Sequence, residues 1–125
     1  KLSLEGHRAV VVGGAGTIGR AIAAAFLGEG ASVLLADAAA GLEDVARSLG
    51  GERVEAAGCD VRDEASVTRL VDRAFAVSGP VHLVYAAAIG SGAFGMPFWS
   101  VGVERWESVF AVNVIGAARV AQAFG

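Results

Sequence analysis

Apolar residues along this chain alternate between short strand-like segments and stripes with helical spacing. Four short segments have the length of buried strands, and Ser32–Ala36 is a continuous apolar run. Such runs, without polar alternation, are typical of a parallel sheet that helices cover on both faces. The predicted strands are Ala9–Val12, Ser32–Ala36, Arg53–Ala57 and Val81–Ala86.

A helix is predicted after each strand, because apolar residues there recur three and four positions apart. The helices are expected at Arg20–Leu27, at Leu42–Leu49, from an Asp63 N-cap to Ala74, and from about Glu104 to Phe124. The first should bury one face formed by Ile18, Ile22, Ala25 and Phe26. Four βα units in strict alternation predict an α/β fold with a doubly wound parallel sheet and right-handed crossovers.

A glycine-rich loop joins the first strand to the first helix and reads Gly-Gly-Ala-Gly-Thr-Ile-Gly from Gly13 to Gly19. Glycines let the backbone approach a diphosphate, and the N–H groups and dipole of the helix that follows can hold it. This pattern predicts a Rossmann-like fold that binds a dinucleotide. The predicted phosphate-binding residues are Gly13, Gly16, Thr17, Ile18 and Gly19.

Asp37 follows the second strand about 20 residues after the glycines, where an acid can accept hydrogen bonds from an adenosine ribose. A carboxylate repels a 2′-phosphate, and no Arg or Lys occurs within Ala38–Gly41. The sequence therefore favours NAD over NADP. The alternative is a solvated loop acid without a ligand.

Composition narrows the class of partner. The net charge is −3 with a pI near 5.3, and no basic stripe interleaves with aromatic residues, so a nucleic-acid partner is not expected. No apolar run approaches the length of a membrane span. Cys59 is the single cysteine, which excludes an intrachain disulfide and fits a cytoplasmic protein. No His, Cys and acid cluster has metal-ligand spacing. His7 lies before the first strand and His82 starts the fourth, both at the end of the sheet away from the expected site.

With these motifs in place, the chain resembles the short-chain dehydrogenase/reductase family over its whole length. The residues from Leu2 to Gly13 are similar to the family's usual opening, and Trp106 lies seven residues before Asn113, as in its W…N helix. The usual loop TGxxxGxG places Thr17 where the family has glycine. Gly13, Gly16 and Gly19 also satisfy the GxxGxxG of the family's extended, epimerase-like branch.

The resemblance assigns roles to further residues. It implies that Asp60 bonds the adenine amino group with Val61 against the ring, and that Ala87 and Ala88 lie beside a cofactor ribose. It gives Asn113 a catalytic role, holding a water that relays protons to the family's lysine. From the residues alone, Asp60 could instead stabilise a turn, and Asn113 could bond the backbone of a neighbouring strand.

The family's catalytic Ser and Tyr-x-x-x-Lys are not found in these 125 residues, where the one tyrosine, Tyr85, precedes Ala-Ala-Ala-Ile. We therefore expect residues 1–125 to be one incomplete NAD-binding domain of a longer protein, inactive alone. The first hypothesis is an NAD-dependent oxidoreductase acting on an alcohol or ketone. The alternatives are a non-catalytic nucleotide-binding module and an extended-branch epimerase or dehydratase acting on a nucleotide sugar.

Two parts of the chain are expected to contact other molecules: the loop Phe94–Trp99 and the outer edge of the fourth strand. The resemblance implies a homo-oligomer, either a dimer or a tetramer. The loop Phe94–Trp99 is expected to form an apolar substrate wall, part of the core, or a subunit contact. A fourth strand left at the sheet edge should also make the 125-residue chain self-associate.

Overall fold

The computed structural model describes residues 3–125, so Lys1 and Leu2 of the family-like opening lie outside the described residues. Four parallel strands form one sheet in the order β3-β2-β1-β4, which confirms the predicted α/β architecture. In the register of the sheet, Val10 pairs with Leu34 on one side and with Leu83 on the other. The strands are β1 (Arg8–Val12), β2 (Ser32–Asp37), β3 (Val54–Gly58) and β4 (Val81–Tyr85).

The helices lie between the strands and after β4. They are α1 (Thr17–Gly28), α2 (Leu42–Leu49), α3 (Glu64–Ala74), α4 (Val103–Phe110) and α5 (Ala117–Phe124), with a π-helical segment, Ala111–Gly116, between the last two. The predicted N-cap of α3 is confirmed, because the Asp63 carboxylate accepts a hydrogen bond from the Ala65 N–H at 3.2 Å.

Helices cover both faces of the sheet, because alternate residues of a strand point to opposite sides. Val10 and Val12 pack in a cluster with residues of α3 and α5, whereas Ala9 and Val11 pack with residues of α1 and α2. All four of these β1 side chains are buried. The continuous apolar character of β1 and β2 is therefore explained by two buried faces.

The first helix differs from its prediction in its start and in its buried face. It begins at Thr17, three residues before the predicted Arg20, with Gly16 as an extended N-cap. Gly19 and Ala23 are buried, whereas Ile18 is 70% exposed. Gly19 takes the buried side of the first turn, where a Cβ would collide with the Gly13 carbonyl. Ile18 precedes it by one residue, about 100° around the helix, and so lies on the exposed side.

The helix predicted from about Glu104 to Phe124 forms as one unbroken helical stretch, but it is not α-helical throughout. Its middle, Ala111–Gly116, is π-helical, which the uniform helix predicted for Glu104–Phe124 did not anticipate. The segment is a local wide turn within an α-helix, in which the hydrogen bonds join residues five positions apart.

The surface beyond β4 is apolar. Within residues 3–125, β4 pairs with β1 alone, so it forms an edge of the sheet. The core interpretation of the Phe94–Trp99 loop is wrong, because Phe94 is fully exposed and Phe98 and Trp99 are 74% and 85% exposed. Phe98 instead contacts the ring of Trp106 edge-on, with centroids 5.7 Å apart.

Candidate functional site

A cleft of about 250 Å³ opens at the carboxyl ends of the strands. The chain runs outward from β1 through β2 to β3 and then returns to place β4 on the other side of β1. Loops that leave neighbouring strands in opposite directions leave a crevice between them, and ligands of open α/β sheets bind in such crevices. The fold thus locates the candidate site.

Most of the predicted site residues meet in this cleft, while Thr17, Ile18, Gly19 and Asn113 lie outside its lining. Those lining it are Gly13, Gly16, Asp37, Asp60, Val61, Ala87 and Ala88. The sequence did not single out Val12, Ala38, Cys59, Arg62, Ala86, Ile89 or Val112, which complete the lining. Each of these residues is directly next to a predicted site residue in the sequence, so this adjacency was the signal that could have found them.

The glycines of the loop occupy their positions for different physical reasons. Gly13 has a φ of +87°, and a Cβ there would lie 2.5 Å from the Ala87 nitrogen. A Cβ on Gly19 would collide with the Gly13 carbonyl oxygen. At Gly16 the nearest atom to a Cβ would be 3.4 Å away, so the protein itself tolerates a side chain there. Gly16 is exposed at the cleft, where the missing side chain leaves space for a ligand.

The N-terminus of α1 beside this loop is positive and lacks a protein cap. No side chain among residues 3–125 caps the helix, and its first turn contains no acid. The first N–H groups of a helix have no partner inside it, and they carry the positive end of the helix dipole. This end of the cleft is therefore suited to an anion.

Asp37 ends β2 and faces the same loop. One oxygen of its carboxylate accepts the Ala15 N–H and the other accepts the Ala39 N–H, each at 3.0 Å. A carboxylate offers about four acceptor sites, so two stay open for ligand hydroxyls. The structure thus adds a role that sequence reasoning missed, because Asp37 also holds the glycine-rich loop through Ala15.

Asp60 is bound by its neighbour at the third strand's exit. Its two carboxylate oxygens accept hydrogen bonds from the Arg62 guanidinium at 3.0 and 3.1 Å, and one also accepts the Arg62 backbone N–H. These bonds from Arg62 hold the pKa of the Asp60 carboxyl below its usual range. The turn-stabilising interpretation of Asp60 therefore describes this geometry, while Val61 is buried at the cleft wall.

Asn113 uses its amide on the backbone beyond β4. Its Oδ1 accepts the Ile89 N–H at 2.9 Å, and its Nδ2 donates to the Ile89 carbonyl at 3.1 Å. The residues alone allowed a bond to the backbone of a neighbouring strand; the amide does bond backbone, but in the segment that follows β4 and not in the strand itself. It joins the π segment to Ile89, which lines the cleft, so Asn113 shapes the site from one layer behind it.

The remaining chemistry-bearing side chains lie elsewhere or are buried. His7 and His82 are at the amino ends of the strands, as predicted, and their ring nitrogens approach to 2.8 Å. Burial raises the pKa of the Cys59 thiol.

Over residues 3–125 no three His, Cys or acidic side chains are grouped to hold a metal ion. No helix in that range is both long and apolar enough to cross a membrane.

The chain has sequence similarity to known proteins over nearly its full length. A family model described as short chain dehydrogenase matches residues 7–125. A 1-deoxy-11-beta-hydroxypentalenate dehydrogenase from Streptomyces avermitilis is 37% identical, over 98% of this chain and 47% of that protein. A D-threitol dehydrogenase from Mycolicibacterium smegmatis has the same identity and the same coverage of both. The chain thus spans about half the length of these curated relatives.

Solved structures share the architecture. A short-chain dehydrogenase/reductase from Brucella melitensis has a TM-score of 0.89 and 29% identity, over 98% of this chain and 52% of that one. One from Burkholderia phymatum, solved in complex with NAD, has a TM-score of 0.87 and 32% identity, over 99% and 44% of the two chains. The predicted family resemblance and the Rossmann-like fold are confirmed by these matches.

Proposed function

Since the chain belongs to the short-chain dehydrogenase family, we propose that its cleft binds NAD and that the protein carrying it oxidises an alcohol or reduces a ketone. The observation that carries this proposal is the pairing of two features across one cleft. An uncapped helix N-terminus with open space at Gly16 faces a carboxylate, Asp37, that keeps free acceptor sites.

The diphosphate is assigned to the loop around Gly16 and the first turn of α1. The N–H groups of Thr17, Ile18 and Gly19 lie in that turn, where helices offer donors and positive potential to anions. Because a Cβ on Gly16 would meet no protein atom closer than 3.4 Å, the chain's own packing gives no reason for glycine. A ligand that needs this space supplies one.

The adenosine ribose is assigned to Asp37, and the same residue favours NAD over NADP. A 2′-phosphate placed there would meet a carboxylate whose nearest bonds are to backbone N–H groups, Ala15 and Ala39. Among the described residues lining the cleft, Arg62 carries the positive charge, and the Asp60 carboxylate holds that guanidinium. Nothing in the lining therefore offsets the repulsion of a second phosphate charge.

NAD bound here would supply the hydride acceptor of an oxidoreductase. This chain's residues bind and orient it, with Ala87 and Ala88 forming the wall next to Gly13. We propose that Asn113, which fixes Ile89 at that wall, sits at the start of the proton path suggested by the family resemblance. The dehydrogenase names of the relatives and the NAD complex of the Burkholderia phymatum neighbour support this assignment.

The test is cofactor binding by the full-length protein and its Asp37→Ala variant, measured by calorimetry with NAD and with NADP. Hydrogen bonds to a charged group contribute about 1.5–3 kcal/mol. We therefore expect the NAD dissociation constant to rise at least about tenfold, with a much smaller change for NADP. Asp72→Ala, which removes an exposed acid from α3, is the control and should leave both unchanged.

Three results would count against parts of the proposal. Equal losses for the two cofactors would remove the ribose role of Asp37. No heat with either oxidised or reduced cofactor would overturn the binding proposal itself. Tight NAD binding without turnover of any alcohol or ketone would favour the non-catalytic nucleotide-binding module instead.

A further inference from the structure

Tyr85 ends β4 and joins the sheet to the last helix. Its hydroxyl donates a hydrogen bond to the Val112 carbonyl oxygen at 2.6 Å, and Val112 belongs to the π segment. Burial raises the pKa of the Tyr85 phenol, so the hydroxyl remains a donor at neutral pH. Tyr85 itself does not line the cleft. Tyr85 can therefore affect the cleft only through the residues that it contacts.

Gly116 makes room for this contact. A Cβ on Gly116 would lie 2.9 Å from the Tyr85 hydroxyl oxygen and 2.7 Å from Cγ2 of Val61. Glycine inside a helix costs about 1 kcal/mol relative to alanine. The close approach of Tyr85 and Val61 gives the physical reason for a buried glycine at this position.

Two contacts tie neighbouring residues of the π segment to the chain at and beyond the end of β4. Tyr85 binds Val112, and Asn113 binds the N–H and carbonyl of Ile89. The stretch between the two contacts, Ala86–Ile89, forms one wall of the cleft.

This wall cannot hold itself in place with its own side chains. Ala86, Ala87 and Ala88 have no polar side-chain atoms, and Ala86 bonds β1 through its backbone N–H, 2.7 Å from the Val12 carbonyl oxygen. The backbone of Ala87 lies so close to Gly13 that a Cβ on that glycine would be 2.5 Å from the Ala87 nitrogen. A shift of the wall would therefore also move the glycine-rich loop.

We propose that Tyr85 is a positioning residue whose bond to Val112, together with the Asn113 pair, fixes Ala86–Ile89 as the wall of the cleft. π-helical segments are rare, and those that occur inside α-helices are often found at functional sites. Here the Tyr85 hydroxyl supplies a bond from outside the helix to a carbonyl of that segment. The inference predicts a change in the Ile89 backbone and a change in NAD affinity, and only the second rests on the proposed function.

The experiment removes the hydroxyl alone, with Tyr85→Phe in the full-length protein, and follows two quantities. The first is hydrogen exchange of the Ile89 amide, which should accelerate about tenfold as the wall loosens, with or without cofactor. The second is the NAD dissociation constant, which should rise about three- to tenfold. The control, Ser108→Ala, deletes a hydroxyl bond to the Glu104 carbonyl in α4 (2.8 Å) and should change neither.

The outcomes separate this inference from the proposed function. An unchanged Ile89 exchange rate in Tyr85→Phe would overturn the positioning role. Faster exchange with an unaltered NAD dissociation constant would also overturn it, because the wall would then not matter to the cleft. A wild-type protein that binds no NAD would overturn the proposed function, and the Ile89 exchange rate would still decide whether Tyr85 holds the wall.

A second variant tests the same contact by sterics rather than by deletion. Gly116→Ala keeps the hydroxyl and pushes it from Val112, so Ile89 exchange should accelerate as in Tyr85→Phe. Both changes disrupt the Tyr85–Val112 contact, and the Gly116→Ala methyl in addition presses on Val61. Since Tyr85→Phe removes nothing that Gly116→Ala leaves intact, the double variant should exchange no faster than Gly116→Ala alone. Fully multiplicative acceleration in the double variant would overturn the proposal.

Discussion

At the residue scale, Gly16 differs from the other glycines of the loop because the fold itself does not require a glycine there. Gly13 and Gly19 are required by backbone contacts and, at Gly13, by a positive φ. Gly16 has an ordinary extended backbone, with φ −78° and ψ 167°, and occupies the N-cap position of α1. A protein selected for stability alone would prefer serine or aspartate there, because their side chains cap the first N–H groups.

Gly16→Ser should therefore raise stability and lower cofactor affinity. The serine oxygen would bond N–H groups of the first turn and occupy the space left for a diphosphate. We expect the free energy of unfolding to increase by about 0.3 kcal/mol, measured by urea denaturation, while the NAD dissociation constant rises at least about tenfold.

Gly102→Ser is the matched control for this substitution. Gly102 is the extended N-cap of α4, outside the cleft, and the nearest atom to a Cβ there is the movable carboxylate end of Glu104. It should stabilise the protein to a similar degree with no effect on NAD. If Gly16→Ser bound NAD as tightly as the wild type, the phosphate assignment would be wrong.

At the element scale, most helix and strand positions follow from local pattern. The α2 bounds were predicted without error, and the four strands agree with their predictions to within one residue at each end. The start of α1 was missed because glycine, unlike Asp63, carries no side chain that marks a cap. The π segment was missed because Tyr85, which bonds it, is 27 residues from Val112 in sequence.

The Asp63 cap gives a prediction for α3. Asp63→Ala removes the acceptor of the Ala65 N–H and a negative charge at the helix N-terminus. The free energy of unfolding should fall by about 1 kcal/mol, measured by denaturant titration. Asp63→Asn keeps an acceptor and should lose less, so equal losses for both variants would indicate that the cap does not contribute.

At the scale of the whole molecule, β4 and α4 expose surface that a soluble monomer rarely leaves open. The edge of β4 away from β1 has no strand partner within residues 3–125, and its backbone groups can pair with another chain. On α4, Trp106 and Phe110 are 44% and 47% exposed, and the aromatic residues of the preceding loop are exposed as well. Large exposed apolar surface of this kind marks contacts with other protein.

The 125-residue chain alone should consequently self-associate at micromolar concentration. Sedimentation velocity should show a dimer or larger species, and Trp106→Glu should shift the distribution toward monomer by placing a charge in the apolar surface. Asp72→Glu on α3 serves as a control that keeps the net charge and the aromatic surface. A monodisperse monomer of the unmodified chain would contradict this prediction.

The sequence by itself determined the parallel sheet, the helices on both faces, the glycine-rich loop and the acid that follows β2. These features depend on residues adjacent in the chain, because periodicity and turn chemistry act over a few positions. Only the tertiary structure decided that Asp60 binds Arg62, that Asn113 binds Ile89 and that the Tyr85 hydroxyl binds the Val112 carbonyl of the π segment. A polar side chain chooses among all the donors and acceptors within reach, and those are set by how distant segments pack.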